Sequence, residues 1–481
     1  MTVVCPAQTQ ESPFSITPRL DQRVTVTDNV GLSPRGQESN DLIYSVAPGV
    51  LVEADGNRVT GRLDYSWDNR FYVNEDQRDR ASHRLNTSGN AELVEDFLFL
   101  DARASRRQRA QTLVDPLGFD EGVGPDGTDV TTWQISPYVR QRLGRFALVD
   151  ARYTYDQVRY GQGNLRDSSS DTYALDVSSG PMFGRYFWSG NFSRQEIRYD
   201  TELAFAGDDE VVLASVSGTA GVQLTPRLSV FGTVGEERND FVSAREEVDG
   251  SFWSAGGRWS PSQRTSMEAT YGERFFGSTA TLDFQHRRRN SLWRASYSEG
   301  ISTTRGEILV PDPFCVDALV DDGFTEEEAI LLCAQFGDAS LALTEDVFVS
   351  ERAQVSVRYD MRRSSWSLLG FRSERDYLSE REQIDDLRRD ERRTGVTGRM
   401  DWDLGPRTTS TTSLTRTWLE ADDIDDETRR ERLWSFRTGV TRQLRSDMRG
   451  SLTYRHQQRS STEQVFGYRE NAIIATLNMT F

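Results

Sequence analysis

The chain has 481 residues, a formal net charge of −18 and only 36% hydrophobic residues, with a mean hydropathy of −0.62 and a pI near 4.8. No apolar run approaches the roughly 20 residues of a membrane helix, and so acidic a chain lacks the basic footprint that nucleic acid needs. A membrane β-barrel is not excluded, because only every second residue of its strands has to be apolar.

Residues 1–11 read as the remnant of a secretion signal. Val3-Val4-Cys5-Pro6-Ala7 carries small residues at A-x-A-like cleavage positions, but no basic start precedes it. Residues 12–481 then read as one unit of alternating strands. The pattern is clearest from Val59 to Phe71: Val59, Leu63, Tyr65, Trp67 and Phe71 share one face, and Arg62, Asp64, Ser66, Asp68 and Arg70 share the other. Similar alternation recurs in Trp133 to Leu143, Ala147 to Tyr155, Val212 to Leu224, Trp253 to Trp259, Met267 to Tyr271, Ala353 to Tyr359, Val396 to Leu404 and Trp434 to Val440. Aromatics at 10%, with 37 glycines and 14 prolines, suit many short strands joined by tight turns.

Two kinds of connection take turns along the chain. Leu143-Gly144-Arg145, Thr225-Pro226-Arg227, Arg289-Asn290 and Gly405-Pro406-Arg407 are short, whereas 115–129, 239–249, 379–390 and 421–430 are long and polar. Short turns on one side and long loops on the other give an outer-membrane β-barrel, with turns and both termini periplasmic. The count comes to about 22 strands, an all-β, antiparallel, up-and-down transmembrane barrel.

The longest outer excursion, 305–344, contains Cys315 and Cys333, two of only three cysteines. Between them Thr325-Glu326-Glu327-Glu328 has the form of a helix N-cap with first-turn acids, ahead of Ala329 to Leu332. A disulfide-stapled short helix over Thr325 to Phe336 is expected, which calls for an oxidising compartment. Closing a loop of about 17 intervening residues stabilises it by about 3 kcal/mol in the chain-entropy model.

The last stretch, Asn471 to Phe481, alternates again: Ile473, Ala475, Leu477, Met479 and Phe481 on one face, Thr476, Asn478 and Thr480 on the other. This is the form of a sealing strand that meets lipid every second residue, and Leu477, Met479 and Phe481 read as its insertion signal for the barrel-assembly machinery.

If the apolar faces meet outer-membrane lipid, the opposite faces line a lumen. They carry Arg62, Asp64, Arg70, Arg103, Arg140, Arg142, Arg152, Glu268, Arg274, Arg294, Arg358 and Arg399; lysine is absent, so all 57 basic residues are arginine. Arginine stays charged and offers a planar fork to carboxylates and phosphates. Two readings stay open: ion-pair ladders that stiffen a wide wall, or a surface selecting anionic solutes. For catalysis the pattern is poor. His83, His286 and His456 are scattered over different predicted strands without metal-ligand spacing. His286 near Asp283 is the one pair with a general base's chemistry, set against an ordinary interface histidine beside Arg287 and Arg288. Neither an enzyme nor a cofactor is expected.

The segment Trp259 to Thr304 contains Ser260-Pro261-Ser262-x-Arg264-Thr265, then Tyr271-Gly272-x-Arg274-Phe275-Phe276-Gly277, a His286-Arg287 block and a Trp293…Ser296-Tyr297-Ser298-Glu299 strand. With Ile16-Thr17-Pro18-Arg19-Leu20 and Ala47-Pro48-Gly49-Val50, it resembles the PEP-CTERM system-associated outer-membrane β-barrel proteins. That resemblance implies a link to exosortase and exopolysaccharide gene clusters, hence a pore or conduit for exopolysaccharide export. An acidic exopolysaccharide and periplasmic export components would be its partners, and a non-conducting assembly component of the same machinery is the alternative. It supplies no site residue to carry over.

Overall fold

In the computed structural model, residues 13–109, 128–161, 165–200, 210–243, 247–309, 345–378, 391–422, 428–462 and 466–481 are described. The expected disulfide, Cys315 to Cys333, and the helix between its cysteines lie outside them. Among the described residues twenty-two antiparallel strands form one closed sheet. They are β1 (Phe14–Thr27), β2 (Asp41–Asp55), β3 (Val59–Tyr72), β4 (Arg80–Val94), β5 (Leu98–Arg109), β6 (Thr128–Leu143), β7 (Ala147–Tyr160) and β8 (Ser168–Ser179). Next come β9 (Tyr186–Tyr199), β10 (Glu210–Thr225), β11 (Leu228–Asp240), β12 (Gly250–Ser262), β13 (Thr265–Arg274), β14 (Gly277–Arg287) and β15 (Ser291–Thr303). After a short helix α1 (Thr304–Leu309) follow β16 (Val347–Asp360), β17 (Ser364–Tyr377), β18 (Glu391–Gly405), β19 (Thr408–Asp422), β20 (Thr428–Arg445), β21 (Met448–Ser461) and β22 (Tyr468–Thr480).

Strand length runs from 10 residues in β13 to 18 in β20, against the roughly 9–11 that cross a bilayer. The surplus stands above the membrane on the loop side. Each strand pairs with the next, and β22 closes on β1 from Arg19↔Thr480 to Thr27↔Ala472. Closure leaves no sheet edge at this seam, which hydrocarbon requires. The tight turns work by ordinary turn chemistry: Gly144, between β6 and β7, sits at φ 58°, a left-handed conformation that glycine adopts without strain. One seam is zipped less far than the rest. The β14–β15 ladder runs only from Arg287↔Leu292 to Leu282↔Tyr297, and above it stands the short loop-side connection at Phe275-Phe276.

Cross-strand partners share a face, so the register carries one assignment around the whole wall. The inward face is fixed by α1, which touches strands as far apart as β7 and β17. The outward face presents apolar and aromatic side chains. Trp259, Trp293, Trp366 and Trp402 lie near the short turns, and Trp67, Trp133, Trp253 and Trp434 lie toward the loops. Two aromatic belts bracketing an apolar band mark the two membrane–water interfaces. No described helix is long and apolar enough to cross a membrane.

Candidate functional site

The inward face is charged and largely ion-paired. Arg62 donates to Glu53 at 3.0 Å, Arg19 to Asp64 at 2.6 Å, Arg140 to Asp150 at 3.0 Å and Arg152 to Asp101 at 2.7 Å. Arg152 also stacks on Tyr138, 3.9 Å from the ring centre. Arg70 is buried against Asp68 at 2.8 Å, and Glu268 accepts from Arg258 at 2.7 Å. Arg358 reaches Asp360 and Arg399 reaches Asp401, each at 2.8 Å. Arg274 pairs with Glu237 of β11 and lies 5.0 Å from the Phe276 ring. Arg142 faces inward beside the turn after β6, and Arg294 lies in register with Gln285 and Ser356.

These residues are spread around the wall from β3 to β18 rather than gathered at one point. Arg62 and Arg103 line one cleft at the short-turn end, with Glu53, Asn90 and Asp101. Along the described strands the inward face holds more arginine than acid, although the chain as a whole is acidic.

The residues that do converge lie at the loop-side mouth, where α1 spans the lumen. Its Arg305, 3% exposed, forms an ion pair with Asp156 of β7. It also donates to the Asp156 carbonyl at 2.8 Å and to Ser168 Oγ of β8 at 2.6 Å. Two residues on, Glu307 accepts from Arg352 of β16 and Arg375 of β17 on the opposite wall. Arg375, 1% exposed, also lies 4.6 Å from the Phe348 ring centre and 3.7 Å from Glu391. Ile308 packs with Val130 and Val158 of β6 and β7.

A second tie runs beside the first. Glu345, just before β16, accepts from the Arg166 backbone N–H at 2.7 Å and its Nε at 2.9 Å, and Tyr199 donates to the Glu345 carbonyl at 3.2 Å. Behind it Ile197, Tyr199, Val211, Phe241, Val347, Val349 and Leu378 form an apolar cluster. Walls eight strands apart, around β8 and β16, are thereby held together, and the mouth is pinched.

At the start of the 305–344 excursion, residues 305–309 turn inward. The reason is local. Thr304-Arg305-Gly306-Glu307-Ile308-Leu309 alternates an anchoring charge for each wall with an apolar pair, too short a pattern to stand out in the sequence. The pairing of His286 with Asp283 as a general base is corrected. In β14 they point to opposite faces, with His286 opposite the outward Thr265 and Asp283 opposite the inward Glu268. His286 instead hydrogen-bonds Thr265 at 2.8 Å, and His83 stacks outside with Trp67 and Tyr65. Among the described residues no cluster of three metal-ligating side chains forms.

Leu477 and Met479 lie on the outward face of β22, opposite Gly450 and Met448 of β21. Phe481 is 73% exposed, its N–H bonded to the Pro18 carbonyl at 2.8 Å.

Comparison with known proteins gives the fold and little more. No family model matches, and no curated protein matches. Among solved structures, the siderophore receptor PirA from Acinetobacter baumannii aligns with a TM-score of 0.52 at 8% identity, covering 97% of this chain and 80% of that one. The FrpB iron transporter from Neisseria meningitidis aligns with a TM-score of 0.53 at 8% identity, covering 97% and 82%. The chain is a bacterial outer-membrane β-barrel. Its long loops face outward, and β1 begins and β22 ends on the periplasmic side.

Proposed function

We propose that this barrel is a conduit for anionic solutes whose outer mouth is held shut by α1. The observation that carries the reading is the nature of the interior. A wall lined by paired but solvent-accessible arginines and carboxylates, such as Arg140 and Asp150, holds water rather than a packed core. The surplus of arginine on that face favours anions over cations. The solute class that fits both this surface and the Trp259 to Thr304 resemblance is an acidic exopolysaccharide leaving the cell. Uptake of an iron complex is the second reading, favoured by the likeness of the barrel to PirA and FrpB.

Planar-bilayer recording of the refolded protein tests the conduit. The wild type is expected to conduct in rare openings with anion preference, and Arg305→Ala to raise the open fraction. A natively folded Arg305→Ala variant as silent as the wild type would leave a non-conducting assembly component as the better account. Block by an acidic polysaccharide added from the periplasmic side supports export. Saturable binding of a ferric siderophore from the loop side, without such block, supports uptake.

A further inference from the structure

On the outer surface of β19 and β20 two arginines stand beside two tryptophans. Arg416 of β19 points outward, in register with Val396 on one side and Trp434 on the other. Its guanidinium lies 4.7 Å from the Trp418 ring centre and 4.5 Å from that of Trp434. Its Nε is buried and has no hydrogen-bond acceptor. Arg432 stands beside it, opposite Trp418 and exposed. Among the described side chains no carboxylate comes within ion-pairing distance of either arginine. The nearby Glu420 is engaged elsewhere, 3.7 Å from Arg392 and 3.8 Å from Arg430. In a chain of net charge −18 this strip is cationic among the described side chains.

Its depth is set by its neighbours. Below it on the same face come Leu414, Phe436 and Val440, and then Trp402 of the inner aromatic belt. Trp418 and Trp434 therefore mark the outer interface, where lipid headgroups begin. A guanidinium held between two indoles at that level cannot retreat into hydrocarbon, where an uncompensated charge is costly. Its planar fork suits a phosphate.

We propose that Arg416, Arg432, Trp418 and Trp434 form a docking surface for the phosphate of an anionic outer-leaflet lipid. The two indoles fix the Arg416 fork at the level of the phosphate, and Arg432 closes on it from the next strand.

The test uses the full-length protein in nanodiscs of phosphatidylcholine doped with lipid A, whose sugar headgroup carries phosphate. Lipid A retained on the protein after transfer to detergent is counted by native mass spectrometry. Folding is verified by heat-modifiable gel mobility. Each arginine removed should lower retention by about fivefold, on the scale of about 1 kcal/mol per basic residue at an anionic surface. Arg416→Gln with Arg432→Gln should therefore lose most of the bound lipid. Arg238→Gln should lose none, because Arg238 faces outward on β11 paired with Glu236. If the double variant fails to fold, Arg432→Gln alone decides, since an exposed side chain contributes little to packing. Equal retention by Arg432→Gln and wild type overturns the proposal. So does displacement of lipid A by excess inorganic phosphate, which would mean the strip takes free phosphate.

Discussion

Arg305 shows what one buried side chain can contribute to this barrel. Both it and Asp156 are 3% exposed, so each charge has lost most of its hydration and depends on the other. Deleting one partner of such a pair costs about 3–5 kcal/mol, whereas deleting both costs less than the two single losses together. Hydrogen exchange of the Thr304–Leu309 amides measures how often α1 leaves the wall. Arg305→Ala and Asp156→Ala should each speed that exchange by about a hundredfold or more. The double variant should fall well short of the product of the two. Strictly multiplicative effects would show that the ion pair does not hold the helix down.

At the level of elements, α1 and β22 draw their stability from different sources. A six-residue helix is far below the roughly 12–15 residues at which helices persist alone in water. Only its contacts with both walls keep α1 formed. The strand β22, in contrast, is held by ladders to β1 and β21 on its two sides, and its requirement is the match of each face to its surroundings. Leu477 faces lipid, while Asn478 faces inward and donates to Asp21 at 2.6 Å. Arginine on the lipid face costs about 2–4 kcal/mol near the midplane and less toward the interfaces. Leu477→Arg should therefore lower the folded outer-membrane fraction well below that of Asn478→Arg, as read from heat-modifiable bands of membrane fractions. Equal levels of the two variants would count against the face assignment of β22.

For the whole molecule, the interior decides between a passage and a stiffened wall. Arg62, Arg140 and Arg152 are each paired with an acid, yet their side chains remain 29–52% exposed. Pairs with that much access to water are worth about 0–1 kcal/mol each. Reversing Arg62, Arg140, Arg152 and Arg294 to Glu together should thus leave the barrel folded. The reversal potential in a salt gradient should shift toward cations, because the field along the lumen changes sign locally. A folded variant with unchanged selectivity would show that this face does not border the ion path. Loss of folding would instead make the ladders structural.

The wall of the barrel is legible in local alternation. The alternation from Val59 to Phe71 becomes the two faces of β3, and that from Trp434 to Val440 lies inside β20, because a period of two is a property of the extended backbone and needs no distant partner. Strand ends were less legible, since the surplus above the membrane has water on both faces and loses the apolar signal. Contacts between strands far apart are legible only in the closed barrel. Arg305 finds Asp156 across 149 residues, and Arg166 finds Glu345 across 179. Each depends on barrel closure and stagger, which bring distant residues to one height. Local periodicity carries no record of that height.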